Sequence, residues 1–166
     1  MKKIIAVIIL AIFISPIVKA QVDANAIGLR LGGGDNSGAE ISFQHGFNDV
    51  NRLELDLGFG YSKGYNQFKI SGIYQWVFNI EDGLGWYIGP GASLGLYSYN
   101  DGYYGNNGYN SDFYIEAMGQ IGLQYRFDFP LQLTLDFRPA VEIIPELGHV
   151  HGSFGFGIRY VLGGNK

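Results

Sequence analysis

The residues best suited to chemistry lie near the end of the chain, in His149-Val150-His151-Gly152-Ser153 with Glu146 just upstream. Side chains two apart on an extended strand share a face, so His151 and Ser153 would stand side by side. A histidine beside a serine gives this cluster its catalytic flavour. Glu146 with the two histidines also makes a trio of oxygen and nitrogen donors for a metal, although a loop–strand junction is a thin setting for one. The chain has no cysteine, which excludes a thiolate nucleophile, a thiolate metal site and a disulfide framework. The parity of Phe154 and Phe156 puts His151 and Ser153 on the opposite face from those rings. We therefore read the cluster as polar interior and rim residues, and assign no catalytic residue, metal or cofactor.

A second constellation is spread along the chain. Arg30, Glu40, Arg52, Glu54, Asp56, Lys69, Glu116, Arg126, Asp136, Arg138, Glu142 and Arg159 all fall on the polar face of alternating stretches. Six are basic and six acidic. Charges confined together must pair, because an unpaired buried charge is costly.

The elements that carry these charges have a period of two. Arg52-Leu53-Glu54-Leu55-Asp56-Leu57-Gly58-Phe59-Gly60-Tyr61 places Leu, Phe and Tyr on one face and Arg, Glu, Asp and Gly on the other. Leu131-Gln132-Leu133-Thr134-Leu135-Asp136-Phe137-Arg138 repeats the pattern. No stretch has the i, i+3, i+4, i+7 spacing of an amphipathic helix. Eight strands are expected, over residues 25–33, 39–47, 52–62, 67–80, 85–99, 112–127, 131–144 and 149–162. The separators are turn-forming, as in Asp35-Asn36-Ser37-Gly38, Asn48-Asp49-Val50-Asn51, Glu81-Asp82-Gly83 and Asp128-Phe129-Pro130.

Of the 166 residues only 26 are charged, whereas 26 are Gly and 24 are Tyr or Phe, a composition that argues against disorder. Met1-Lys2-Lys3, the apolar run Ile4 to Ile14, and Val18-Lys19-Ala20 before Gln21 follow the plan of a secretory signal peptide. The apolar run is too short to cross a bilayer, which takes about 20 such residues. Cleavage would leave residues 21–166 as one domain. Without Lys2, Lys3 and Lys19 it carries 8 basic and 15 acidic residues, a net charge of −7 that repels nucleic acid.

Alternation does not say which face points inward. In a soluble barrel the apolar face is inside; in a membrane barrel it faces lipid. Balanced charges and small partners, expected to be Gly, Ser and Gln, suit the narrow interior of an eight-stranded barrel. Aromatics also gather at the strand ends. Phe47, Trp76, Phe78, Trp86, Tyr125, Phe127 and Tyr160 belong to one rim, and Phe59, Tyr61, Phe68 and Phe113 to the other. Aromatic belts of this kind mark membrane–water interfaces. His45 has apolar-face parity and reads as an interface residue. The long connection, residues 100–111, falls on the rim opposite the termini. The expected fold is all-β: a closed antiparallel up-and-down transmembrane β-barrel of eight strands.

Together with the near-terminal strand Phe154-Gly155-Phe156-Gly157-Ile158-Arg159-Tyr160, these features resemble the small eight-stranded outer-membrane β-barrel proteins of Gram-negative bacteria, the OmpX- and opacity-protein-like barrels. The stretches Tyr87 to Tyr97 and Leu133 to Pro139 are similar to strands five and seven of such barrels. The resemblance implies an outer-membrane location with both termini in the periplasm, and lipid and lipopolysaccharide as neighbours. His151 and Ser153 also resemble the pair of the lipid A deacylases, but there the pair faces lipid. A lipid-modifying enzyme is therefore one alternative, and a narrow passive channel another.

The segment Tyr97 to Asp112 is rich in Tyr, Ser, Gly and Asn, the composition of antibody binding loops. Tyr99, Tyr103, Tyr104 and Tyr109 are the expected contacts for a surface ligand or protein partner. A structural or recognition role through surface loops is the function expected from these residues.

Overall fold

The computed structural model describes residues 22–34, 38–62, 65–99, 111–145 and 147–163. Eight strands follow in chain order: β1 (Asn25–Gly34), β2 (Gly38–Gly46), β3 (Asn51–Ser62), β4 (Tyr65–Glu81), β5 (Leu84–Tyr99), β6 (Ser111–Arg126), β7 (Leu131–Ile144) and β8 (Val150–Leu162). Every strand end lies within two residues of the expected one. Each strand pairs antiparallel with the next, and β1 pairs with β8, from Asn25 opposite Leu162 to Gly34 opposite Ser153. The sheet thus closes on itself. Closure satisfies every edge, which is what a sheet needs where water cannot reach its backbone.

Local chemistry sets the short turns at the end where both termini lie. Asn48 Oδ1 accepts hydrogen bonds from the backbone N–H of Val50 (3.0 Å) and Asn51 (2.9 Å). Gly83 has φ of 78°, the left-handed region that favours glycine in a two-residue hairpin. Pro130 and Pro145 bracket β7, whose two ends coincide with those expected.

The pleat sorts the side chains. Leu29, Leu31, Ile41, Leu55, Leu57, Ile70, Leu94, Leu123, Leu135, Phe156 and Ile158 point out of the barrel, each more than two-fifths exposed. Arg30, Glu54, Asp56, Gln75, Gln120, Asp136, Arg138 and Arg159 point in and are buried. This is the inverse of a soluble barrel. Aromatics ring the terminal end: Phe78 stacks on Trp86 with centroids 4.5 Å apart, Tyr74 meets Trp76 at 5.4 Å, and Tyr125 meets Phe127 at 4.7 Å. Phe59 and Phe68 meet at 5.4 Å toward the other end.

The expectation that Gly, Ser and Gln fill the rest of the interior needs correction. Tyr87, Tyr114, Ile73, Val77 and Met118 are also buried inside. Small residues alone would leave voids, and a barrel of this size is filled by side chains.

Candidate functional site

The polar interior is built around Arg138 on β7. Its Nη1 donates to Glu40 Oε2 on β2 at 2.9 Å, and its Nη2 donates to Glu54 Oε1 at 2.5 Å and Asp56 Oδ2 at 2.7 Å, both on β3. One guanidinium thus ties strands from opposite sides of the barrel through charge-assisted bonds. Arg30 on β1 makes a second hub, donating to Asp136 (2.6 Å from Nη2) and to Glu40 (3.1 Å from Nη1). Lys69 Nζ lies 3.3 Å from Glu40 Oε1. Arg159 donates to Ser42 and Thr134, each at 2.9 Å, and its Nη2 lies 3.0 Å from Glu54.

Amides extend this set. Gln75 donates to Gln120 at 2.6 Å, and Gln120 in turn to Glu54 at 3.3 Å. Gln44 also donates to Glu54, and Arg52 donates to Gln75. The Arg52 guanidinium lies over the Tyr87 ring, 4.8 Å from its centroid. Among the described residues the buried ions are Arg30, Arg52, Lys69, Arg138 and Arg159 against Glu40, Glu54, Asp56, Glu116 and Asp136, a balance of five and five.

Glycines opposite the large luminal groups make room for them. A Cβ on Gly122 would come within 2.6 Å of the Tyr87 ring, which faces it across β5 and β6. Gly95 stands likewise opposite Tyr114, and Gly155 lies against the Arg30 guanidinium. These positions are glycine because bulky side chains lie across them.

At the end away from the termini, Glu116 accepts from Ser93 Oγ at 2.6 Å, and His151 Nε2 lies 3.0 Å from its other oxygen. Ser153 is buried, with Arg138 as its register partner. His151 and Ser153 therefore both face the interior, and His151 stands beside a carboxylate. The rings of His149 and His151 are 5.8 Å apart. Tyr114 stacks on Tyr97 at 4.6 Å and accepts a hydrogen bond from Gln67 at 2.5 Å. Among the described residues no group of three or more His, Asp or Glu is placed to hold a metal.

Two charges expected with the network sit apart from its centre. Arg126 is half-buried at the terminal rim, where it donates to Asp23 Oδ2 at 2.9 Å and to the Phe129 carbonyl at 2.8 Å. Glu142 is half-buried opposite Glu116, with its backbone tied to His149 and Gly148. Both stand near strand ends, where parity still points inward but the barrel is opening. His45 is exposed and bonds Asn25 Oδ1 at 2.8 Å. Tyr99 pairs through its backbone with Tyr65 at the end of the β4–β5 ladder. Tyr103, Tyr104, Tyr109, Glu146 and the segment 1–20 lie outside the described residues.

Sequence reading missed Asp23, the Glu116–His151 contact and the two luminal tyrosines. Only the tyrosines left a signal: each faces a glycine on a neighbouring strand.

No protein-family model and no curated protein matches the chain. Solved structures do. The N-terminal β-barrel domain of Pseudomonas aeruginosa OprF is 14% identical over 82% of this chain and 96% of that one, with a TM-score of 0.66. Neisserial surface protein A is 15% identical over 83% and 94%, with a TM-score of 0.60. Yersinia pestis Ail, the attachment invasion locus protein, solved in complex with the heparin analogue sucrose octasulfate, is 15% identical over 82% and 95%, with a TM-score of 0.53. At these identities the likeness is one of fold. The chain has the fold of the small eight-stranded transmembrane β-barrels of the outer membrane, closed and antiparallel.

Proposed function

We propose that the protein is a bacterial outer-membrane barrel with a filled polar interior, whose structural or recognition role is carried by its surface loops. In this reading both termini are periplasmic, residues 1–20 are a cleaved export signal, and lipid and lipopolysaccharide surround the wall.

The observation that carries the reading is the Arg138 hub. Its ties to Glu40, Glu54 and Asp56 cross the interior, which leaves the loops as the part free to meet a partner. The β5–β6 hairpin is the best placed. Its strands stay paired to Ser98 and Ser111, beyond Ile115 and Ile144, where β6 and β7 last pair. Tyr99, Tyr103, Tyr104 and Tyr109 are its proposed contacts. Residues 97–112 contain Asp101 and Asp112 but no Lys or Arg. A polyanion of the kind bound to Ail finds no cation there, so the ligand chemistry suited to this segment is an uncharged or basic surface.

Deleting residues 101–110 tests the assignment. The shortened barrel should keep the faster electrophoretic mobility of an unboiled folded barrel and lose binding to the cell-surface material that retains the full chain. Binding that survives the deletion would place the site elsewhere.

A further inference from the structure

The outward wall is not uniformly convex. Ile80, Trp86, Leu123, Leu135, Phe137 and Phe154, from five successive strands, line a groove of about 560 Å³ on the lipid-facing side. Ile80 and Trp86 flank the β4–β5 turn, so the groove opens toward the terminal end of the barrel. Trp86 is stacked on Phe78 there, within the aromatic belt. Belt residues of this kind sit at the level of lipid head groups.

The charge at that opening is one-sided. Glu81 and Asp82 follow Ile80 directly and are exposed, as is Asp128 on the neighbouring β6–β7 turn. The two turns are tied by a 2.7 Å hydrogen bond from Arg126 N–H to the Gly83 carbonyl. Arg126 is the basic residue described in this sector. Its guanidinium is already engaged by Asp23 and by the Phe127 and Phe129 carbonyls. An apolar groove that leads to carboxylates with no cation paired to them among the described residues suits a molecule with an acyl chain and a cationic head.

We infer that this groove holds one phospholipid bearing a primary ammonium, its acyl chain along Leu123 and Leu135 and its head group beside Glu81 and Asp82. The inference rests on the membrane reading above. It goes beyond that reading by selecting one lipid chemistry at one place on the wall. An anionic phospholipid would meet like charge at the same turn, which disfavours it.

The test uses the full barrel in bilayers of equimolar phosphatidylethanolamine and phosphatidylglycerol with matched acyl chains. Each sample is extracted into detergent, and the retained lipid is identified by mass spectrometry. The wild-type protein should retain one lipid, enriched roughly two- to fivefold in phosphatidylethanolamine, the range that surface ion pairs deliver. Leu135→Trp, or Leu123→Trp should the first fail to fold, fills the groove and should lose the retained lipid. Glu81→Gln with Asp82→Asn keeps a turn-compatible Asn-Gly pair and should retain a lipid with no head-group preference. Leu29→Trp, on the β1 wall, should behave as wild type. Absence of retained lipid from a properly inserted wild-type barrel, equal or greater retention of phosphatidylglycerol, or equal loss in Leu29→Trp would overturn the inference. Failure of the wild-type barrel to enter bilayers at all would instead overturn the membrane reading, and unboiled electrophoretic mobility distinguishes the two failures.

Discussion

Arg138 Nη2 stands 2.5 Å from Glu54 Oε1 across the barrel interior, although the two residues are 84 positions apart in sequence. Both side chains are buried. The pair belongs to β7 and β3, which are not neighbours in the sheet, so its bond spans the lumen rather than running along the wall. An ion pair desolvated this far is expensive to break on one side only, because the remaining charge cannot find water.

Arg138→Met should therefore destabilise the folded barrel by about 3–5 kcal/mol. Adding Glu54→Gln should recover part of the loss, giving a coupling on the order of 0.5–3 kcal/mol between the two sites. Urea titration of the barrel in micelles, followed by unboiled electrophoretic mobility, measures both. Strictly additive losses would show that the two groups do not act on each other.

The same network predicts how the barrel treats solutes. Protein-containing liposomes loaded with a small neutral sugar should leak at the rate of protein-free ones, because the interior of an eight-stranded barrel is occupied by side chains. Flux clearly above that background would favour the channel alternative over a filled barrel.

Gly122 supplies a packing test. A Cβ there would lie 2.6 Å from the Tyr87 ring and 2.8 Å from the Leu135 carbonyl, so Gly122→Ala should cost about 1–3 kcal/mol in the same titration. Gly119, on the outward face of the same strand, meets nothing closer than 3.7 Å, and Gly119→Ala should stay within about 0.5 kcal/mol of wild type. Equal effects at the two positions would remove the argument that Gly122 is small for the sake of Tyr87.

The wall of this barrel was more legible in the sequence than its contents. The strict alternation in Arg52 to Tyr61 and Leu131 to Arg138 leaves little choice of element, and the prolines at 130 and 145 stop β7 at both expected ends. β4 starts two residues earlier than expected, at Tyr65, because its first pairs form against Ser62 and Tyr99, and pairing partners carry no local signature. Parity sends Arg138, Glu54 and Glu40 to one side of the sheet but gives neither their depth nor their bearing, so which carboxylate meets which guanidinium emerges only from closure. Ile73, Val77 and Tyr87 look lipid-facing by type and are luminal by position. A filled interior needs their volume, and a hydrophobicity pattern does not record that need.

The central claim is that the apolar face of every strand points into lipid, and the two tryptophans of the chain test it directly. Trp76 and Trp86 both sit on the outward face of the terminal-end belt, Trp76 with 42% of its surface exposed. Tryptophan emission should be strongly quenched when the barrel is placed in bilayers whose phospholipid acyl chains are brominated near the head group, and little affected by iodide in the aqueous phase. Emission that ignores the brominated lipid and falls with added iodide would contradict the account, because it would put the apolar wall of the barrel in water.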